Sequence, residues 1–115
     1  MTNAIFLGWN RSIPGREHVS AAEFQDFVQY LGGLQQSGVI QSFDVVFLDP
    51  HGGDMNGFFL LRGESGKLHE LAASADWLTW QMRGILHLQG FGAVFAATGD
   101  AVMERMRVWT SRLPS

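Results

Sequence analysis

The 115-residue chain contains no cysteine, one lysine and three prolines. Without thiols it can form neither a disulfide scaffold nor a thiolate metal site, and cysteine cannot be its nucleophile. Charged residues make up 17% of the chain and aromatic residues 12%, which is the composition of a chain that folds rather than one that stays disordered. This length is sufficient for one hydrophobic core. We therefore expect residues 1–115 to form a single domain.

Positive charge and long apolar runs are also scarce. The eight Lys and Arg residues are outnumbered by eleven Asp and Glu, giving a formal net charge of −3, which excludes a broad basic surface for nucleic acid. No apolar run approaches the roughly 20 residues that a membrane helix needs. Residues 1–11 lack the basic and apolar regions of a signal peptide. We expect no nucleic-acid partner, no membrane partner and a cytoplasmic location.

The chain begins with a predicted strand. Residues 4–9 form a short apolar run that places Ile5, Leu7 and Trp9 on one face. The pair Pro14-Gly15 then marks a turn.

A predicted helix follows this turn. Ser20 and Glu23 have the S-x-x-E spacing of a capping box, which places the N-cap at Ser20. Apolar residues recur at helical spacing through residues 24–34, and Gly38 is a suitable C-terminal stop.

The middle of the chain predicts an antiparallel hairpin. Residues 39–48 and 58–61 read as strands, and the glycine-rich segment 49–57 between them reads as a loop.

The last half of the chain predicts two helices around a fourth strand. Ser65 is positioned to cap a helix that restarts or bends at Ser74 or Asp76. Residues 85–96 read as a strand, which Gly90 and Gly92 interrupt. A final helix begins with Asp100 as its cap.

The resulting order is β-α-β-β-α-β with an extra C-terminal helix, which predicts the α+β class and a ferredoxin-like fold. Its antiparallel four-stranded sheet carries both helices on one face and leaves the other face open. Large apolar residues occupy both faces of the strands, as Phe58 and Phe59 illustrate. An exposed apolar patch of that size is typical of an interface. We therefore expect a homodimer that forms through the open sheet face.

The chain resembles the dimeric α+β barrel superfamily in its element order, in Pro14-Gly15 and in Ser74-Ala75-Asp76-Trp77. It is also similar to a family of small bacterial proteins of unassigned activity. That similarity lies in Trp9-Asn10-Arg11, in Pro14-Gly15-Arg16-Glu17, and in segments 49–54 and 56–63. The resemblance implies a barrel whose cavity between sheet and helices binds small ligands or supports cofactor-free oxygenation, heme degradation or lactone isomerisation.

Heme chemistry is the weakest of these implied activities. Trp77, Trp80 and His87 are similar to the Asn-Trp-His set of heme-degrading members, with Asn10 near the end of the first strand. Aligning the second helix with that of those members, however, places Leu71 at the tryptophan position and Gln81 at the histidine position. We therefore expect no cofactor.

The segment Asp49-Pro50-His51-Gly52-Gly53-Asp54 concentrates one imidazole and two carboxylates. These groups can bind a divalent metal in principle, but their spacing matches no metal motif, and a turn explains the Asp and Gly residues equally well. We therefore predict no metal site and consider His51 as a general base.

Arg62 ends an apolar strand and has two interpretations. It can hold a substrate carboxylate bidentately, or it can pair with Asp44 across the hairpin. We predict His51 and Arg62 as catalytic residues, and Trp9, Asn10 and Trp77 as ligand-binding residues.

Two classes of function remain open. The first is a homodimeric barrel protein whose cavity binds a small apolar ligand. The second is a cofactor-independent oxygenase or isomerase that acts on a small organic substrate. In both cases we expect the pocket between sheet and helices, lined by apolar and aromatic side chains with few polar groups.

Overall fold

The computed structural model describes residues 1–114, which form six strands and four helices. The strands are β1 (Ala4–Trp9), β2 (Arg11–Ser12), β3 (Ser42–Phe47), β4 (Gly57–Arg62), β5 (Leu88–Gln89) and β6 (Gly92–Ala96). The helices are α1 (Glu17–Gln36), α2 (Ser65–Ala72), α3 (Ala75–Ile85) and α4 (Asp100–Ser111). No helix within residues 1–114 combines the length and the apolar content that crossing a bilayer requires.

The α+β class and the four-stranded antiparallel sheet are confirmed. The strand order is β3-β4-β1-β6, and every neighbouring pair is antiparallel. Strand β1 lies in the interior of the sheet, so Ile5 faces Leu61 on β4 and Phe95 on β6. The short strands β2 and β5 form a separate pair.

The core lies between one face of this sheet and the first three helices. From the sheet it takes Ile5, Leu7, Phe59 and Leu61, and from the loop before β3 it takes Ile40. The helices contribute Leu31, Leu68, Leu71 and Trp77. Each of these side chains stabilises the fold by roughly 1.5–3 kcal/mol through removal from water.

No helix of the described chain covers the opposite face of the sheet, which carries apolar side chains. The strand registers place five of them on this open face: Phe6, Val46, Phe58, Leu60 and Val94. The Phe6 and Phe58 rings are 5.0 Å apart, and Val94 is 60% exposed.

The predicted capping box at Ser20 is wrong. Helix α1 begins at Glu17, and its N-cap residue, Arg16, makes no side-chain cap hydrogen bond. The Glu17 carboxylate instead accepts a hydrogen bond from the Gly15 N–H at 3.0 Å, because the Pro14-Gly15 turn brings that N–H close. Ser20 therefore lies inside the helix, where its hydroxyl is free to bond elsewhere. The predicted stop is confirmed, since Gly38 has φ +83° just after the helix.

The expected break in the second helix is confirmed at Ser74, which caps α3 by accepting a hydrogen bond from the Trp77 N–H at 3.1 Å. The cap of α2 differs from the prediction. The Glu64 carboxylate accepts from the N–H groups of Gly66 and Lys67, so Ser65 is already helical.

The predicted strand 85–96 is wrong in its first half. Helix α3 extends to Ile85, and a turn at Gly90 (φ +65°) separates β5 from β6. Asp100 does not act as a cap, because α4 begins there and Gly99 occupies the cap position with φ +58°. Helix α4 buries none of its residues.

Gly57 at the start of β4 lies directly against the Trp9 indole. A Cβ atom at this position would come within 2.5 Å of Trp9 Cζ2 and 2.9 Å of the Val46 carbonyl oxygen. No larger residue fits here unless both the indole and the neighbouring backbone of β3 shift.

Candidate functional site

A cavity of about 460 Å³ lies between the helix-covered face of the sheet, α1, α3 and the β5 segment. This is where the sequence analysis expects a pocket. Its lining is Leu7, Trp9, Ser12, Ser20, Ala21, Glu23, Phe24, Gln25, Phe27, Phe47, Phe59, Trp80, Gln81, Gly84, His87, Leu88 and Phe91.

Aromatic rings form much of the wall. Phe59 lies at the centre of the group, with its ring centroid 5.5 Å from Trp9, 5.6 Å from Phe24 and 5.0 Å from Phe27. Phe27 in turn lies 5.3 Å from Trp80. Rings at these separations attract each other and hold their geometry without a ligand, so the wall is preformed.

Three polar side chains on the wall form one hydrogen-bonded chain. Ser12 Oγ donates to Ser20 Oγ at 2.6 Å, and Ser20 Oγ lies 2.7 Å from His87 Nδ1. Because Ser20 accepts from Ser12, its own proton is available for Nδ1. This arrangement favours the neutral imidazole with its hydrogen on Nε2.

His87 is 5% exposed, which makes it the buried histidine of the site. Burial lowers its pKa, since desolvation disfavours the imidazolium form. Glu23 acts in the opposite direction, and Arg16 and Arg83 reinforce the lowering. His87 Nε2 has no hydrogen-bond partner among residues 1–114. The ring therefore has one nitrogen tied to Ser20 and one nitrogen unused.

An ion pair closes the site between α1 and α3. Arg83 donates from Nε to Glu23 Oε2 at 2.7 Å and from Nη2 to Glu23 Oε1 at 3.0 Å, with a further contact to Asp26. Its guanidinium lies 3.9 Å from the centroid of the Trp80 ring. The bidentate pair occupies both Glu23 oxygens, so the carboxylate that lines the cavity is already neutralised.

Gln81 contributes an unsatisfied donor. Its side chain lines the cavity, and its Nε2 is buried without a hydrogen-bond partner among the described residues. An unpaired buried amide costs about 1–3 kcal/mol. Because Gln81 Nε2 has almost no accessible surface, the protein encloses this donor and other atoms of the side chain form the cavity wall.

The predicted ligand-binding residues separate in the structure. Trp9 lines the cavity. Trp77 is 5% exposed and belongs to the core, outside the cavity lining. Asn10 also lies outside the lining, and its Oδ1 accepts from Asn56 Nδ2 at 2.9 Å.

The predicted catalytic residues His51 and Arg62 also lie outside the cavity lining. His51 is exposed, and its Nδ1 lies 3.0 Å from the carbonyl oxygen of Asp49. Arg62 pairs with Asp44 across the hairpin, which is the alternative that the sequence allowed. The structure therefore does not bring these two residues together at the pocket. Within residues 1–114 no three His, Asp or Glu side chains converge to hold a metal ion.

The polar part of the site was not predicted from the sequence. Ser20 and Glu23 carry the signal of a helix cap, and their roles here are tertiary. His87 follows the end of α3 by two residues and has no local motif, and Gln81 stands among helical residues. The packing of α1 against α3 and the pairing of β2 with β5, which brings residues 11–12 beside 88–89, place these groups together.

No protein-family model and no curated protein matches this chain. The geometry of the cavity is therefore the guide to its function.

Proposed function

We propose that the protein is a homodimer with the ferredoxin-like, dimeric α+β barrel architecture, and that the cavity of each protomer binds a small, neutral, largely apolar molecule. The observation that carries this proposal is the cavity of about 460 Å³. Its volume lies within the range of roughly 300–1,000 Å³ that is typical of sites for small organic ligands.

The composition of the wall supports an apolar ligand. Seven of its seventeen residues are phenylalanine or tryptophan, and three of its six polar residues, Ser12, Ser20 and His87, are paired with one another. Binding of an apolar ligand to such a wall is favourable, because apolar surface of the ligand leaves water. A few polar atoms then set the orientation of the ligand.

The charges around the cavity support a neutral ligand. Glu23 and Asp26 both contact Arg83, and Arg16 lies near enough to influence His87. Two acidic and two basic groups cancel, so neither an anion nor a cation is favoured over a neutral molecule.

The open sheet face supports the homodimer. Its apolar residues are only partly buried within residues 1–114, with Val94 60% exposed, and the face ends at the Arg62–Asp44 pair. A second copy would supply the same apolar surface in an isologous contact, which is the commonest form of assembly. A buried area on the order of 2,000 Å² would place it in the obligate class.

Ligand binding is tested with N-phenyl-1-naphthylamine, a neutral fluorescent probe, by titrating the wild-type protein. Ala21→Trp places a large ring at the cavity wall, whereas Ala22→Trp is the matched control on the adjacent exposed residue outside the lining. We expect saturable binding that Ala21→Trp weakens by about tenfold or more and that Ala22→Trp leaves unchanged. Absence of saturable binding, or equal effects of the two variants, overturns the proposal.

The homodimer is tested by sedimentation equilibrium at micromolar concentration. We expect twice the mass of one chain for the wild type, a shift to the monomer for Val94→Arg on the open face, and no shift for Val19→Arg on α1. A monomeric wild-type protein refutes this part of the proposal.

An enzyme that needs no cofactor, an isomerase or oxygenase, is the second candidate. One observation favours it: the Ser20–His87 hydrogen bond lies on the cavity wall and provides a proton acceptor next to a hydroxyl. The test is exchange of the α-hydrogens of 2-tetralone with solvent deuterium, followed by NMR. Exchange above the buffer rate that is lost in Ser20→Ala supports this candidate, and exchange at the buffer rate eliminates it.

A further inference from the structure

We infer that the ligand of the cavity carries a carbonyl group, and that His87 Nε2–H donates a hydrogen bond to its oxygen. This inference rests on the proposed binding function and specifies the chemical class of the ligand: a neutral, apolar ketone, quinone or lactone rather than a hydrocarbon or a carboxylate.

The first step is the tautomer of His87. Ser12 donates to Ser20 at 2.6 Å, so the Ser20 oxygen is an acceptor in that bond. The Ser20 proton then has His87 Nδ1, at 2.7 Å, as its acceptor. A neutral ring that accepts at Nδ1 holds its single hydrogen at Nε2.

The second step is the neutrality of the ring at physiological pH. The imidazole is buried, and this burial lowers its pKa. Of the charged groups that face it, Glu23 is engaged by Arg83 in two hydrogen bonds. Arg16 and Arg83 further disfavour a positive ring. His87 therefore presents a neutral N–H donor.

The third step is the surplus of donors on the wall. His87 Nε2 has no partner within residues 1–114, and neither does the buried Gln81 Nε2 six residues earlier in the chain. Both groups belong to residues that line the cavity. Of these two donors, His87 Nε2 is the one that the protein does not enclose, so an acceptor oxygen on a molecule in the cavity would complete its hydrogen bonding.

The fourth step excludes a carboxylate as the source of that oxygen. The cavity is lined by aromatic rings, and its single acidic wall residue is already paired with Arg83. An anion in this position would lose its hydration, and none of the residues that line the cavity is a lysine or arginine that could pair with it. A carbonyl oxygen accepts the same hydrogen bond at a much smaller desolvation cost.

The test compares 1-tetralone with tetralin, which has the same two-ring skeleton without the carbonyl, in competition with N-phenyl-1-naphthylamine. His87→Met removes the donor, and His87→Gln retains an amide N–H near the position of Nε2. We expect the ratio of the ketone affinity to the hydrocarbon affinity to fall by about tenfold in His87→Met. In His87→Gln this ratio should be largely retained. The affinity for tetralin should change little in either variant. We also expect 1-naphthoate to bind more weakly than the ketone.

A measurement on the unmodified protein keeps the inference testable if these variants fail to fold. The carbonyl stretch of ¹³C-labelled 1-tetralone should move to lower wavenumber on binding, relative to its position in an apolar solvent, because a donated hydrogen bond weakens the C=O bond. An unshifted carbonyl band overturns the inference. An unchanged affinity ratio in a folded His87→Met protein also overturns it, and so does binding of 1-naphthoate that is tighter than that of 1-tetralone. If tetralin and the probe still bind, only the carbonyl inference fails. If neither binds, the proposed function fails with it.

Discussion

Ser20 Oγ on α1 lies 2.7 Å from His87 Nδ1, although 67 residues separate the two in the chain. This hydrogen bond joins the first helix to the turn that follows α3. It also fixes the orientation of the imidazole on the cavity wall, since the ring cannot rotate without breaking the bond.

Replacing Ser20 by alanine should therefore destabilise the protein. The change leaves His87 Nδ1 and the Ser12 hydroxyl without their partner, and we expect a loss of about 1–3 kcal/mol in the free energy of unfolding. Urea denaturation measures this loss. Ser37→Ala, which removes an exposed hydroxyl bonded only to the Leu34 carbonyl, serves as the control and should change stability much less. Equal effects of the two substitutions would show that the Ser20 bond contributes nothing particular.

Stability should fall as the pH drops below about 6.5. The pKa of His87 is lowered in the folded protein. As the pH falls, the unfolded chain therefore binds a proton at this histidine more readily than the folded chain does. The contribution of neutral His87 to the free energy of unfolding is complete above the ordinary histidine pKa. It is lost as the pH falls toward the pKa of His87 in the folded protein. Between pH 7.5 and pH 5.5 we expect a loss of at most about 1.4 kcal/mol. Urea denaturation at both values tests this, and His87→Gln should reduce the difference; a slope unchanged by that variant would assign it to other groups.

Substitution by alanine should lower the free energy of unfolding much more at Trp77 than at its neighbour Leu78. Trp77 is buried in the core, whereas Leu78 is 59% exposed on the other side of α3. We expect Trp77→Ala to cost about 3–5 kcal/mol, because it opens a large cavity under the sheet. Leu78→Ala should stay within about 0.5 kcal/mol of the wild type. Thermal unfolding compares them, and a stable Trp77→Ala protein with altered probe affinity would instead support the ligand-binding role predicted from the sequence.

His51→Ala tests whether the loop between β3 and β4 contributes to binding in the cavity. The imidazole is exposed and contacts only the Asp49 carbonyl, so we expect unchanged stability and unchanged affinity for N-phenyl-1-naphthylamine. Fluorescence titration of the variant beside wild type measures the affinity. A loss of about tenfold would place His51 at the ligand after all and would restore its predicted catalytic role.

The sequence predicts well those elements that have a regular apolar pattern. Residues 4–9 alternate toward a core and form β1 without any difference in bounds. The helix break at Ser74 is equally readable, because a serine cap and its bonded N–H lie three residues apart in the chain. These features depend on neighbours in sequence, so sequence alone determines them.

The errors occur where distant residues decide the structure. The Ser20–Glu23 spacing satisfies the rule for a capping box, yet Ser20 bonds Ser12 and His87, and Glu23 bonds Arg83. The predicted strand 85–96 failed because β5 exists only through its pairing with β2, and no local signal marks a two-residue strand. The general position of the pocket and the role of Trp9 in its wall were readable from the sequence. Its polar chain was not, because its members come from opposite ends of the chain.

The close fit of Gly57 against Trp9 links the shape of the cavity to a residue outside its lining. A methyl group at position 57 would displace the indole and the Val46 carbonyl beside it, and the indole is part of the cavity wall. The capacity of the cavity is thus controlled in part by a backbone position on β4 that contributes nothing to its lining. Alanine in place of glycine at this single position would change the shape of the cavity without replacing any of the residues that line it.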